Sequence, residues 1–305
     1  MWVAITQTMP TSSLPRITLV TPSFNQVRFL EPCLRSILDQ QYPDLEYMVM
    51  DGGSTDGSAE VIRRYVPRLK AWRSRPDGGQ YAAVAEGLNA ASGEVMGWLN
   101  SDDLHLPWTL RTVGEIFAAR PEVDWITSRM PLLVSESSAL VAAKRLEGFN
   151  GRAFFRGRNL PVVHGFYTCF IQQESTFWRR SLWERSGGFG AGLDLAGDFD
   201  LWARFWRHAT LHAVNVPLAC FRLQSDQKTA CRMTDYMDEA ASVLRREKMR
   251  PPLRVEILAR RALRQLPPAV QRRLPEGIAY TARIIESTDL DGRTPQWRVT
   301  NERFI

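Results

Sequence analysis

A chain of 305 residues with 44% hydrophobic and 10% aromatic content can bury a large core, which excludes intrinsic disorder over most of its length. No window approaches 18 consecutive apolar residues, and Met1 to Pro15 lacks the basic start and apolar middle of a secretory signal; the expectation is a protein without a membrane-spanning helix, in the cytoplasm. The net charge of +6 is concentrated: between Arg245 and Arg273 lie ten basic residues against Glu247 and Glu256, leaving the remainder slightly acidic.

From Ile17 to about Trp125, short apolar runs alternate with segments of helical period, the signature of successive βαβ units and a mainly parallel sheet. The spacing predicts strands at Ile17 to Thr21, Leu45 to Asp51, Lys70 to Arg75, Val95 to Leu99 and Asp124 to Thr127. Helices are expected between them, near Arg28 to Gln40, Ser58 to Tyr65, Gln80 to Ala91 and Pro107 to Ala119. The pattern weakens between Met130 and Val163, where loops and short strands are expected. Gln172 to Arg180 then leads into a short helix that Gly187-Gly188 breaks, before a helix at Asp198 to His208. Asn215 to Leu223 reads as one more strand. Helices punctuated by Pro251-Pro252 and Pro267-Pro268 follow, and the last fifteen residues read as loosely ordered. The expected class is α/β: a Rossmann-like, mainly parallel central sheet flanked by helices, with a helical C-terminal extension. The four cysteines have no metal-type spacing, so neither a zinc site nor structural disulfides are expected.

In open α/β sheets, ligands bind beyond the carboxyl ends of the strands. Three polar clusters fall at such ends: Thr21-Pro22-Ser23-Phe24-Asn25, Asp51-Gly52-Gly53-Ser54-Thr55-Asp56-Gly57 and Asn100-Ser101-Asp102-Asp103. A carboxylate at Asp51 can accept the ring N–H of a uracil or thymine, with Phe24 to stack on the base; alternatively, Asp51 and Asp56 are Asx-turn residues. The paired carboxylates Asp102 and Asp103 repel each other unless a cation compensates them. Mg²⁺ or Mn²⁺, held by carboxylates and substrate phosphates, fits that need, although an acidic pair before Pro107 also suits a helix cap. Asp103 is the expected direct ligand, and Asp102 a ribose or water-mediated contact. Asp77-Gly78-Gly79-Gln80 precedes a helix and can meet an anion or a sugar hydroxyl, or form a plain turn.

Asp198 opens an amphipathic helix in Gly197-Asp198-Phe199-Asp200-Leu201-Trp202. The helix dipole favours a carboxylate there, so capping explains it; a role as general base asks in addition that it face the cleft. Asp200 points elsewhere and has a structural or acceptor-orienting role. Gln173 and Glu174, with the aromatic residues Trp178 and Trp183 nearby, can line an acceptor site, but aromatic side chains at helical spacing are more often core.

Taken together, these motifs resemble those of the family-2 glycosyltransferases of GT-A fold, over about Pro15 to Thr229. The resemblance implies a donor site formed by Pro22, Phe24, Asn25, Asp51, Asp77, Gln80 and Asp102, with Asp51 on the base, Asp103 on the metal and Asp198 as catalytic base. It implies inverting transfer from a UDP- or dTDP-type sugar to a hydroxyl of a saccharide or lipid-linked saccharide acceptor, in cell-surface polysaccharide or glycolipid synthesis. On this reading residues 1–14 are a tail, 15–127 the nucleotide-binding half, 128–229 the acceptor half and 230–305 a basic helical extension. Two positions depart from the family pattern. Gly197 stands where many relatives carry Glu, and Gln224 where they often carry His; Arg222 is then expected to compensate more of the diphosphate charge.

The basic segment leaves other readings open. It can be a solvated helical face, or lie on an anionic bilayer at the inner face of the plasma membrane. A nucleic-acid-binding protein is a different class, but acidic strand-end loops would repel phosphate without a metal. A nucleotidyltransferase of sugar-nucleotide synthesis would share the donor side, yet the first-strand loop lacks a basic, glycine-rich triphosphate cradle. A non-catalytic sugar-nucleotide binder is the remaining option.

Overall fold

The computed structural model describes residues 14–160, 170–225, 227–248, 254–263, 265–271, 273–275, 278–288 and 296–305. The strands are β1 (Ile17–Ser23), β2 (Leu45–Asp51), β3 (Ala71–Ser74), β4 (Val95–Trp98), β5 (Leu104–His105), β6 (Trp125–Ser128), β7 (Leu132–Val134), β8 (Leu140–Ala143), β9 (Thr176–Arg179), β10 (Leu211–Val214), β11 (Ala219–Arg222), β12 (Tyr280–Ser287) and β13 (Trp297–Phe304). Nine of them form one sheet in the order β13-β12-β10-β6-β9-β4-β1-β2-β3, and β5-β11-β7-β8 form a second. In the large sheet, β1 pairs parallel with β2 and β4, β2 with β3, and β10 with β6 and β12. All seven residues of β1 are buried, as expected for a parallel strand covered on both faces.

Alternate residues of β1 feed two cores on opposite faces of the sheet. Ile17 and Leu19 pack with Leu30, Leu34 and Ile37 of the helix Val27–Leu38 and with Leu110, Val113 and Phe117 of the helix Thr109–Ala119. Val20 faces the other core, with Val84 and Leu88 of the helix Gln80–Asn89 and the indoles of Trp98, Trp125, Trp178 and Trp202. Trp202, on the helix Gly197–Trp206, lies nearly parallel to Trp98 and Trp125 at ring centroid distances of 5.8 and 5.7 Å. Trp178 and Trp183 are buried in this cluster, so they belong to the core and not to an acceptor wall.

Three sequence expectations change. Residues 173–179 form a single turn of 3-10 helix and then β9, which runs antiparallel between β4 and β6 in the middle of the sheet. The expected strand Asn215 to Leu223 is only β11, Ala219–Arg222, and lies in the second sheet; β10, Leu211–Val214 in the large sheet, precedes it and was not expected. At the start of the second helix Asp56 accepts from the Ser58 N–H and hydroxyl. The chain end is ordered: Trp297 to Phe304 pairs with β12 over eight residues. Its anchor is Arg129, 1% exposed, whose guanidinium reaches both carboxylate oxygens of Glu302 at 2.6 and 2.9 Å. The expectations for 1–13, 161–163 and Pro251-Pro252 lie outside the described residues.

Candidate active site

The carboxyl ends of β1, β2 and β4 open into a cleft of about 870 Å³. β1 ends at Ser23, and the chain turns through Phe24 and Asn25, the latter with a left-handed φ of 52° that Asn tolerates. The Asn25 N–H donates to Ser54 Oγ, and its side-chain oxygen accepts from the Thr55 N–H. That tie leaves Phe24 62% exposed at the cleft rim beside Pro22, a ring available for stacking. Asn25 itself is spent on the neighbouring loop and does not line the cleft.

Asp51 is also a loop organiser and not a cleft residue. It is fully buried; its oxygens accept from the Gly53 and Ser54 N–H groups and the Ser54 and Ser74 hydroxyls. Three of those donors fall on Oδ2 and one on Oδ1, which commits the carboxylate largely to its own loop. Gly52 passes close to Phe24, where a Cβ would meet the ring at 3.2 Å, and Gly53 packs against Pro76. Asp77 and Gln80 do line the cleft. Asp77 accepts from the Gly79 N–H and from Arg73 Nη1, and Gln80 Nε2 donates to Asn100 Oδ1 at 2.8 Å.

The loop after β4 carries Asp102 and Asp103, both on the cleft. Asp102 Oδ2 accepts from Gln224 Nε2 at 2.5 Å, and Asp103 Oδ1 accepts the backbone N–H of Arg222. Arg222 does not face the cleft. Its buried guanidinium donates to the carbonyls of Asp102, Ser135 and Glu136 and to the Ser138 hydroxyl, and lies over Phe29. It buttresses the acidic loop from behind, so the expected contact with a diphosphate is corrected to a structural one.

Burial pushes the carboxyls of Asp102 and Asp103 above the usual range, and for Asp103 the proximity of Asp102 and Glu174 adds to it. Glu174, 3% exposed, is pushed up to about 8, mainly by burial and then by Asp102 and Asp198, and its Oε1 has no hydrogen-bond partner. Gln173 donates Nε2 to the Trp98 carbonyl while its Oε1 is likewise unpartnered. Oxygen-only donors, mutually repelling and incompletely satisfied, suit a hard divalent cation. Among the described residues no three acidic, His or Cys side chains close a metal shell unaided. An ion at Asp102 and Asp103 would therefore draw its other ligands from substrate oxygens and water, the habit of Mg²⁺ and Mn²⁺.

Asp198 lines the same cleft, in the first turn of the helix Gly197–Trp206. Its Oδ1 accepts the Phe199 N–H at 2.7 Å and stands 3.5 Å from the Tyr81 hydroxyl, which donates to the Leu195 carbonyl. Burial raises its carboxyl to about 6 against the stabilising pull of those hydrogen bonds, a value suited to accepting a proton near neutrality. The run into this helix is held by Glu239, whose carboxylate accepts the N–H groups of Asp194, Leu195 and Ala196. Asp200 is fully buried and bound to Arg204, Arg246 and the Gly190 N–H; of its two expected roles, the structural one stands.

Sequence reasoning missed Tyr81, and it missed a cleft wall built by Phe170, Ile171, Leu195, Met233 and Tyr236. Met233, Tyr236, Ala240 and Val243 follow helical spacing, and that pattern reads as core until the fold puts one end of the stripe on the cleft.

The model of the family described as Glycosyl transferase family 2 matches residues 18–176. An uncharacterised glycosyltransferase of Mycobacterium tuberculosis is 28% identical over 224 residues, covering 70% of this chain and 76% of that protein. Glycosyltransferase AglE of Haloferax volcanii is 31% identical over 170 residues; the match spans 54% of this chain and 55% of AglE. Among solved structures, S. aureus TarS 1–349 in complex with UDP-GlcNAc superposes with a TM-score of 0.57 at 16% identity, over 80% of this chain and 70% of that one. In a second TarS structure the matched part is 43% of that chain. Mannosyltransferase PcManGT of Pyrobaculum calidifontis, in complex with GDP-Man and Mn²⁺, gives 0.53 at 22% identity, over 75% and 64% of the two chains. With its mainly parallel sheet this is the GT-A fold, and the chain belongs to glycosyl transferase family 2.

Proposed function

We propose that the protein is a metal-dependent, inverting glycosyltransferase that moves a sugar from a UDP- or dTDP-type donor to a hydroxyl of a saccharide or lipid-linked saccharide. The observation that carries this reading is the shared cleft: Asp198, the Asp102–Asp103 pair and the exposed ring of Phe24 all line it. TarS bound to UDP-GlcNAc and PcManGT bound to GDP-Man and Mn²⁺ support the substrate class and the ion.

Phe24 and Pro22 hold the base, Asp77 and Gln80 the donor hydroxyls, and Asp102 the ribose or the ion through water; Asp103, backed by Arg222, is the direct ligand. A bound Mg²⁺ or Mn²⁺ neutralises charge on the departing nucleoside diphosphate. Asp198 takes the acceptor hydroxyl proton as that oxygen bonds to the anomeric carbon from the side opposite the phosphate, and the carbon–oxygen bond to the diphosphate breaks. No covalent sugar–enzyme intermediate forms. Glu174 and Gln173, with unpartnered oxygens, receive sugar or acceptor hydroxyl protons as hydrogen bonds. Residues 15–127 serve the nucleotide, 128–229 the acceptor, and the extension from 230 adds Met233 and Tyr236 to the acceptor wall.

A screen of nucleotide sugars for turnover, with Mn²⁺ and with chelator, tests the reading. The expected result is metal-dependent release of UDP or dTDP, lost in Asp198→Asn while calorimetric donor affinity survives. Donor affinity indifferent to chelator would overturn the metal assignment, and an active Asp198→Asn would overturn the base.

A further inference from the structure

The function above makes no use of the chain between the helix Met233–Arg246 and β12. Both ends of that stretch are fixed to the catalytic body. Tyr236, Ala240, Val243 and Leu244 bury one face of the first helix in the tryptophan-rich core, and β12 pairs with β10 in the main sheet. Between them the helix Arg254–Leu263 presents Val255, Leu258, Ala259 and Ala262 to solvent, at the i, i+3, i+4, i+7 spacing of a single helical stripe. Val255 and Leu258 are 66% and 62% exposed. Val270 and Ile278, further along, are also exposed. An aliphatic stripe that buries nothing on a soluble helix signals a surface awaiting a partner.

Charge identifies the partner. The same stretch holds most of the chain's basic excess; exposed Lys248 and Arg273 belong to it, and exposed Arg245 stands just before it. Arg246 does not count, because it is bound to Asp200 and Glu247. Exposed aliphatic side chains in a segment rich in cations match the interface of an anionic bilayer, where apolar groups sink below the headgroups while Lys and Arg remain among them. A nucleic acid would meet the charge but leave the aliphatic stripe in water. We infer that the exposed face of the helix Arg254–Leu263, with the exposed cations Arg245, Lys248 and Arg273, is a peripheral membrane-binding surface for anionic lipid, with Val255 and Leu258 as its inserting residues.

The test is co-sedimentation of the full chain with vesicles of phosphatidylcholine alone and with about one-third phosphatidylglycerol. The expected result is binding to the anionic vesicles only, weakened by salt. The double change Val255→Glu with Leu258→Glu should lower that binding by roughly tenfold or more while leaving the melting temperature and donor turnover as in the native protein. Equal sedimentation with both vesicle types, or a double variant that binds like the native chain, overturns the inference. So does a shift of a duplex oligonucleotide without any vesicle binding. Because donor turnover is read separately, failure here is distinguishable from failure of the transferase reading.

Discussion

The ring of Tyr81 occupies the space that a side chain on Gly197 would need: a Cβ there would lie 2.7 Å from the Tyr81 ring carbons. This explains why the residue before the base is glycine here. The aromatic ring has taken the position beside Asp198, and its hydroxyl rather than a neighbouring carboxylate approaches Asp198 Oδ1.

Gly197→Ala is therefore expected to destabilise the fold by about 1–3 kcal/mol through overpacking. Combining it with Tyr81→Ala should cost less than the two separate changes added together. Thermal melts of the three variants check this; strict additivity would show that the two side chains do not compete for one space.

Turnover should depend on pH through Asp198. On the proposed role as base its carboxylate is the active form, and burial raises its carboxyl to about 6, so kcat/KM is expected to fall as pH drops through about 6 and to level off above it. Tyr81→Phe removes a hydrogen bond that favours the ionised form and should move this acid limb to higher pH. Asp198→Asn should reduce kcat by roughly 10²–10⁴-fold, the usual worth of a positioned general base.

Glu174 gives a stability signature. In the metal-free protein the folded state holds its proton up to about 8, whereas the ordinary value is 4.5. The unfolded chain has released that proton across the interval, so stability contributed by this group falls as pH rises between those values. Glu174→Gln should flatten the decline; melts in chelator at pH 5 and pH 9 are the measurement, and parallel curves for both proteins would refute it.

Asp51→Asn should weaken the 51–57 loop by about 1–3 kcal/mol, because an amide N–H₂ faces donors where a carboxylate oxygen accepted them. Differential scanning calorimetry would detect it without any nucleotide present. A residue that served only to contact the base would lower donor affinity and leave the melt unchanged.

The parallel half of the sheet was legible because each strand there is locally announced: β2 falls at Leu45–Asp51 as its apolar run predicts, and polar turns follow β1, β2 and β4. β9 was not legible, since Thr176-Phe177-Trp178-Arg179 is too short for periodicity and its burial comes from β4 and β6, both distant in sequence. The same limit governed the site. Asp102, Asp103 and Asp198 were readable as carboxylates at element ends, and all three reach the cleft. The orientation of Asp51 and Arg222 was not, because it is set by partners such as Ser74 and Ser138 that no motif encodes.

Glu239 carries a final implication for anyone dividing this chain into modules. Its carboxylate holds the three peptide N–H groups that lead into the helix bearing Asp198, and it belongs to the segment that a family boundary near Thr229 would discard. A fragment cut there would keep every motif of the resemblance yet lose the clasp on the run into the helix of Asp198, so a fragment meant to retain that geometry has to run past residue 239.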